Sequence, residues 1–130
     1  MIVDSSVLVA ILRDEPEADA FLLHIVSAPI ARLSAASYLE AAVVLDNRRD
    51  AAASAKFDPM LQRLAIAIEP VTEVQARIAR QAYRDFGKGS GHAAKLNFGD
   101  CLSYALAKDK GEPLLFKGRD FPLTDIEPAV

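Results

Sequence analysis

The sequence predicts an α/β sandwich of three layers, with helices on both faces of a central, mainly parallel sheet. Two observations carry that expectation. Short apolar, strand-like runs alternate with helix-length segments along the whole chain, and strands separated by such segments pair in parallel through crossovers. At 130 residues and 52% hydrophobic, the chain can bury one real core and has no linker long enough to separate two. Residues 1–130 are therefore expected to form a single domain.

Taken in order, Ile2-Val3-Asp4 reads as a short buried strand, followed by the unbroken apolar run Val7–Leu12, far too short to span a bilayer. Glu15–Val26 reads as a helix opening at Pro16, a favoured first-turn position. Ala31–Ser34 is a second strand, and Ala35–Arg48 and Ala52–Leu64 are helices. Ile66–Glu69 is strand-like before Pro70. Thr72–Phe86 has a helical period that places Val74, Ile78 and Ala82 on one face. Gly87–Gly91 is a loop, and Phe98–Lys110 a helix closed by Gly111. Leu114–Phe116 and Thr124–Ile126 complete the strands. In such sheets the functional crevice lies beyond the carboxyl ends of the strands.

The formal charge is −3, which argues against a broadly basic nucleic-acid surface. Divalent cations held by clustered carboxylates would reverse the local sign. Cys101 is the only cysteine, so no internal disulfide forms, which suits a reducing cytosol. The opening residues lack a basic leader region. A soluble, cytoplasmic protein is expected.

Four acids occupy positions suited to one crevice. Asp4 ends the first strand, and a carboxylate there needs a partner or a ligand; it also reads as a turn residue, with Ser5 and Ser6 capping the next segment. Glu40 lies early in a helix among apolar Leu39, Val43 and Val44, and Ser37-Tyr38-Leu39-Glu40 also fits a capping box. Asp100 would be the third helical residue after an Asn97 cap, where the helix dipole favours an acid whether or not it binds metal. Asp120 follows the Leu114–Phe116 strand and, alone, is a loop aspartate. Together, two acids follow strands and two sit in early turns of helices that follow strands. Oxygen ligands without histidine or thiolate favour Mg²⁺ or Mn²⁺, and clustered carboxylates around such ions serve phosphodiester hydrolysis.

Other constellations are weaker. His24 and His92 share no zinc-ligand spacing with each other or with Cys101, and Cys101 reads as a small buried helix residue. Gly87-Lys88-Gly89-Ser90-Gly91 lacks the order of a phosphate-binding loop. Arg77, Arg80, Arg84 and Lys88 recur 3, 4 and 4 residues apart, which makes one helical stripe. The stripe reads either as a solvated face or, joined by His92 and Lys95, as a track for an RNA backbone.

Several runs resemble the PIN-domain family, and in particular its VapC toxins. Met1-Ile2-Val3-Asp4-Ser5-Ser6 looks like the family's opening strand and turn, and Leu33-Ser34-Ala35-Ala36-Ser37-Tyr38-Leu39-Glu40 resembles its second motif. Gly87-Lys88-Gly89, His92 and Leu96-Asn97-Phe98-Gly99-Asp100 through Ala107 resemble a stretch of one VapC subgroup, and Pro113–Phe121 completes the pattern in order. The resemblance implies an endoribonuclease acting on structured RNA such as tRNA or ribosomal RNA. It implies Mg²⁺ or Mn²⁺ on Asp4, Glu40 and Asp100, with Asp120 as the fourth acid and Ser6 as a supporting hydroxyl. Many members have Asn where this chain has Arg119. It also implies a homodimer and inhibition by a VapB antitoxin, whose tail lays an amphipathic segment on the toxin and sends a basic side chain to the acids. The Ala-rich face Ala35, Ala36, Ala41 and Ala42 suggests a groove for that segment near Val44 and Leu45, although the alanines also read as packing against the protein's own helices. Two rival functions are a catalytically silent PIN-fold module that binds RNA or protein, and an aspartyl-phosphate phosphatase with Asp4 as nucleophile. The second wants an acid where this chain has Ser6.

Overall fold

The strand-like runs do pair side by side. The computed structural model describes residues 1–130 as β1 (Ile2–Val3), α1 (Ser5–Leu12), α2 (Ala18–Ser27), β2 (Ala31–Ser34), α3 (Ala35–Asn47), α4 (Ala51–Arg63), β3 (Ile66–Glu69), α5 (Glu73–Phe86), α6 (Phe98–Lys110) and β4 (Leu114–Leu115). The sheet order is β3-β2-β1-β4, and every pairing is parallel. The chain moves outward from β1 through β2 to β3, then returns to place β4 on β1's other side. That reversal puts a crevice at the carboxyl end of β1.

Strand alternation divides the core between two faces. Val3, Leu33 and Leu115 pack with α1 to α4 through Val7, Leu8, Phe21, Leu45 and Phe57. Ile2 and Leu114 pack with α5 and α6 through Ala79, Ala82, Leu102 and Leu106. Arg32, on β2, reaches Glu69 of β3 at 2.7 Å and Glu112 at 3.0 Å. Glu112 also meets the N-terminal ammonium at 3.4 Å. This partly buried network ties the start of the chain and the Glu112 turn before β4 to β2 and to the last residue of β3.

Four local expectations change. Ser5–Leu12 is a helix, capped by the Asp4 side chain. A second helix begins at Ala18 rather than Glu15, because the Glu15–Glu17 stretch around Pro16 forms the turn that reverses the chain. On α5, Val74 is 56% exposed, whereas Gln75, Ala79 and Ala82 face inward. Gln75 is drawn in by a hydrogen bond from its amide nitrogen to Asp109 at 3.1 Å. Thr124–Ile126 is not a strand: a short 3-10 helix covers Phe121–Leu123, and the tail meets β4 through a single bridge at Pro128. Hydrogen bonds from Leu114 to Glu127 and from Ala129 to Leu114 cover the β4 edge, which blunts it as a template for foreign strands.

Candidate active site

Asp4 leaves β1 in an extended conformation and caps α1, so its side chain is fixed where the crevice opens. It is 3% exposed. One carboxylate oxygen accepts from the Ser6 amide at 3.1 Å and the Ser6 hydroxyl at 2.6 Å. The other accepts from Ser103 Oγ at 2.5 Å, a bond that spans 99 positions of sequence. Ser103 and Ser37 hydroxyls lie 3.0 Å apart. Since Ser103 has one proton and gives it to Asp4, Ser37 is the donor to Ser103. A buried line of hydroxyls thus runs from α3 through α6 to Asp4.

Glu40, on α3, accepts from Ser5 Oγ at 2.5 Å. It does not close a capping box: the N-cap of α3 is Ser34, whose hydroxyl accepts from the Ala36 amide. The Glu40 carboxylate lies against Gly99 so closely that a Cβ at that position would overlap it. Burial pushes the Glu40 carboxyl up from its ordinary range; the Ser5 hydrogen bond opposes this and the Asp4 charge adds to it.

Asp100 does form the expected capping box. It accepts from the Asn97 amide at 3.0 Å while its own amide donates to the Asn97 side chain at 2.8 Å. Its carboxyl is pushed up to about 6, first by burial and then by the charges of Asp4, Glu40 and Asp120, against the Asn97 hydrogen bond. The residue that closes the capping box thus also lines the cleft with Asp4 and Glu40.

Asp4, Glu40 and Asp100 line one open cleft of about 380 Å³, together with Ser5, Ser6 and Glu15. Its only cation is Lys117, whose ammonium is held by Glu15 at 3.3 Å and Glu17 at 2.8 Å and whose amide donates to Ser6 Oγ. Asp120 stands exposed outside this lining, near enough to raise Asp100 but not to share the cleft. No three of these acids are drawn into a ready-made metal cage. Like charges in a partly desolvated cleft repel, and Glu40 and Asp100 each turn to a neutral donor instead. The donor set is oxygen only, negatively charged and supported by hydroxyls, which fits a hard divalent cation.

The basic residues are distributed differently. Arg80 and Lys88 line a separate apolar cavity; Arg84 and Lys95 are exposed, Lys95 in a left-handed conformation. His92 is tied into its loop, with Nδ1 accepting from the Ala94 amide at 3.0 Å and the ring edge-on to Phe86. Cys101 is buried, and burial with the nearby Asp100 charge pushes its thiol up to about 11, so it is no nucleophile. Ala41 and Leu45 are buried in the protein's own core, so neither lines the groove expected there.

Sequence reading missed Ser5, Glu15 and Lys117 in the lining of the cleft, and Ser103 buried behind Asp4. Serines inside helix motifs carry no local mark of a partner about a hundred residues away.

A PIN-domain family model matches residues 1–127. A VapC ribonuclease of Mycobacterium bovis is 56% identical over 130 residues, covering 100% of this chain and 98% of that protein. Ribonuclease VapC28 of Mycobacterium tuberculosis matches with the same identity and coverage, and ribonuclease VapC of Mycolicibacterium smegmatis is 48% identical over 97% of both chains. The crystal structure of Mycobacterium tuberculosis VapC20, a sarcin–ricin-loop-cleaving toxin, superposes with a TM-score of 0.73 over 96% of this chain and 95% of that one, at 20% identity. This likeness shows the shared fold. The chain belongs to the PIN-domain family, within its VapC ribonuclease branch.

Proposed function

We propose that this chain is a metal-dependent endoribonuclease, the toxin of a VapBC-type pair, cutting phosphodiester bonds in structured RNA of the tRNA or ribosomal class. The observation that carries the reading is the convergence of Asp4, Glu40 and Asp100, from three separate elements, on one cleft whose only cation is already paired. These three would hold Mg²⁺ or Mn²⁺, with Asp120 approaching from the rim. Such an ion lowers the pKa of an attacking water and stabilises the leaving oxygen. The protein's part is positioning. Ser6 and Ser103 fix both oxygens of Asp4, Ser5 holds Glu40, and Asn97 orients Asp100. The relatives named as VapC ribonucleases support the same activity.

The test is cleavage of total RNA with Mn²⁺, with chelator, and by Asp4→Asn. Chelator should stop cleavage, and Asp4→Asn should lower it on the order of 100-fold or more. Cleavage that survives both sinks the assignment.

The partner proposed is a VapB-type antitoxin acting in the cytoplasm, and the active form a homodimer. No helix is long and apolar enough to cross a membrane. On α3, Leu39 is 61% and Val43 47% exposed, while Val44 borders the acids. An amphipathic segment laid there brings a basic side chain to the cleft. Val43→Glu should release the product of the neighbouring gene while sparing RNA cleavage. Retained co-elution argues against this surface.

A further inference from the structure

Between α5 and α6 lies a cavity of about 610 Å³, larger than the acidic cleft and lined mainly by apolar groups. Two aromatic rings border it. Phe98 is 79% exposed and Tyr83 43% exposed, an unusual cost for the first residue of a helix whose later positions are buried. Tyr83 is held in place, because the chain at Gly87 passes so close that any Cβ there would overlap its ring and carbonyl. Arg80 and Lys88 stand at the same cavity. Neither makes an ion pair, although seven other ion pairs form in the molecule. No acidic side chain lines the cavity, in a protein whose net charge is −3. Asn97 borders both this cavity and the acidic cleft, so the two share a wall.

We propose that this cavity is a nucleobase subsite: an unpaired base of the RNA stacks on Phe98 and Tyr83, and its flanking phosphates meet Arg80 and Lys88. The inference rests on the ribonuclease reading for the identity of the polymer and deepens it, since a base held here sets which phosphodiester lies over Asp4 and Asp100. Aromatic platforms with adjacent cations are how proteins hold unstacked bases. Charge selects the occupant. A second copy brought face to face would set Arg80 and Lys88 against their own images, which is repulsive. A polyanion with flat apolar faces satisfies both the cations and the rings.

The subsite makes RNA binding separable from cleavage. Binding is measured by anisotropy of a short fluorescent single-stranded RNA, intact or carrying abasic residues, on the Asp4→Asn chain with chelator present. Intact RNA should bind about tenfold more tightly than abasic RNA of equal charge, and Phe98→Ala should remove that difference while leaving the salt slope unchanged. Arg80→Ala should flatten the salt slope and leave the base preference. Phe98→Tyr should restore wild-type binding. Equal affinity for intact and abasic RNA on the unmutated surface overturns the proposal without reliance on any Phe98 variant folding. So does a change in oligomeric state in Phe98→Ala with RNA binding intact, which would assign the cavity to a second copy. If no variant cleaves RNA yet the base preference is measured, the ribonuclease reading fails and the subsite stands.

Discussion

Ser103 is small and fully buried, yet its hydrogen bond fixes one oxygen of Asp4. Ser103→Ala removes the donor to one Asp4 oxygen and leaves the Ser37 hydroxyl with no acceptor in its line. The expected cost is about 1–3 kcal/mol of stability, together with roughly 10- to 100-fold weaker metal binding. Denaturant melts and a Mn²⁺ titration check both; unchanged metal affinity would reduce Ser103 to a packing residue. Gly99 is the converse case. Gly99→Ala should raise helix propensity by about 0.5–1 kcal/mol, but its methyl displaces the Glu40 carboxylate. Cleavage is expected to fall while the melting temperature holds. Full activity in that variant would show that Glu40 works from another position. At this scale the gathering of Asp4, Glu40 and Asp100 was legible because each sits at a strand end or in an early helical turn, while Asp120 stays outside their cleft. The Ser6 hydroxyl was legible beside Asp4, but those of Ser5 and Ser103 were not, since their partners lie 35 and 99 positions away.

Among the elements, α1 and α5 show where periodicity informs and where it fails. Ser5–Leu12 is apolar almost throughout, because α1 is buried against α2 and α3, so no polar face marks its turns. On α5 the apolar stripe holds at Ala82 and partly at Ile78 but fails at Val74. Val74 looked inward by type, but Thr72 caps the helix through the Gln75 amide and sets the phase that turns Gln75 in. Gln75 is 2% exposed, and its Oε1 has no hydrogen-bond partner. A buried acceptor left unpaired is costly, whereas Asp109 remains exposed to water without its amide donor. Gln75→Met is therefore expected to change stability by less than about 1 kcal/mol, or to raise it. A loss of several kcal/mol in a denaturant melt would show that the Gln75–Asp109 bond fixes the helix pair. The sheet was legible in direction because crossover helices leave little choice but parallel pairing, whereas its order, with β4 on the far side of β1, carries no local mark. The final segment was misread because Thr124-Asp125-Ile126 has strand composition but comes after Pro122 in a tight turn.

For the whole molecule, the cleft concentrates negative charge that the fold must carry when no cation is present. The Asp100 carboxyl is raised from 3.8 to about 6, so the folded state binds this proton more tightly than the unfolded chain does. Its contribution to stability is complete below about 3.8 and is lost as pH rises to about 6. Burial of Glu40 acts in the same direction. Metal-free protein should thus lose on the order of 1–2 kcal/mol between pH 4 and 7 from Asp100, after allowance for its partial exposure. Asp100→Asn keeps the cap and should flatten that slope. Divalent metal should restore stability at pH 7 in the wild type, as any ligand of the native state does. A metal-free melting temperature that rises from pH 5 to 7, after correction for the other groups, would contradict the burial of Asp100 charge.

The order β3-β2-β1-β4 also has a consequence in time. The first strand of the chain is an inner strand of the sheet, and one of its two neighbours is made long after it: Ile2 pairs with Leu114 and Val3 with Leu115. A nascent chain that has emerged as far as β3 carries Asp4 and Glu40 but neither Ser103 to aim the aspartate nor Asp100 to face it. Contacts of such long sequence separation form late. The order of synthesis therefore holds the site open: the cleft closes only after α6 and β4 have been made, and a shorter product lacks both the residue that aims Asp4 and the acid that faces it.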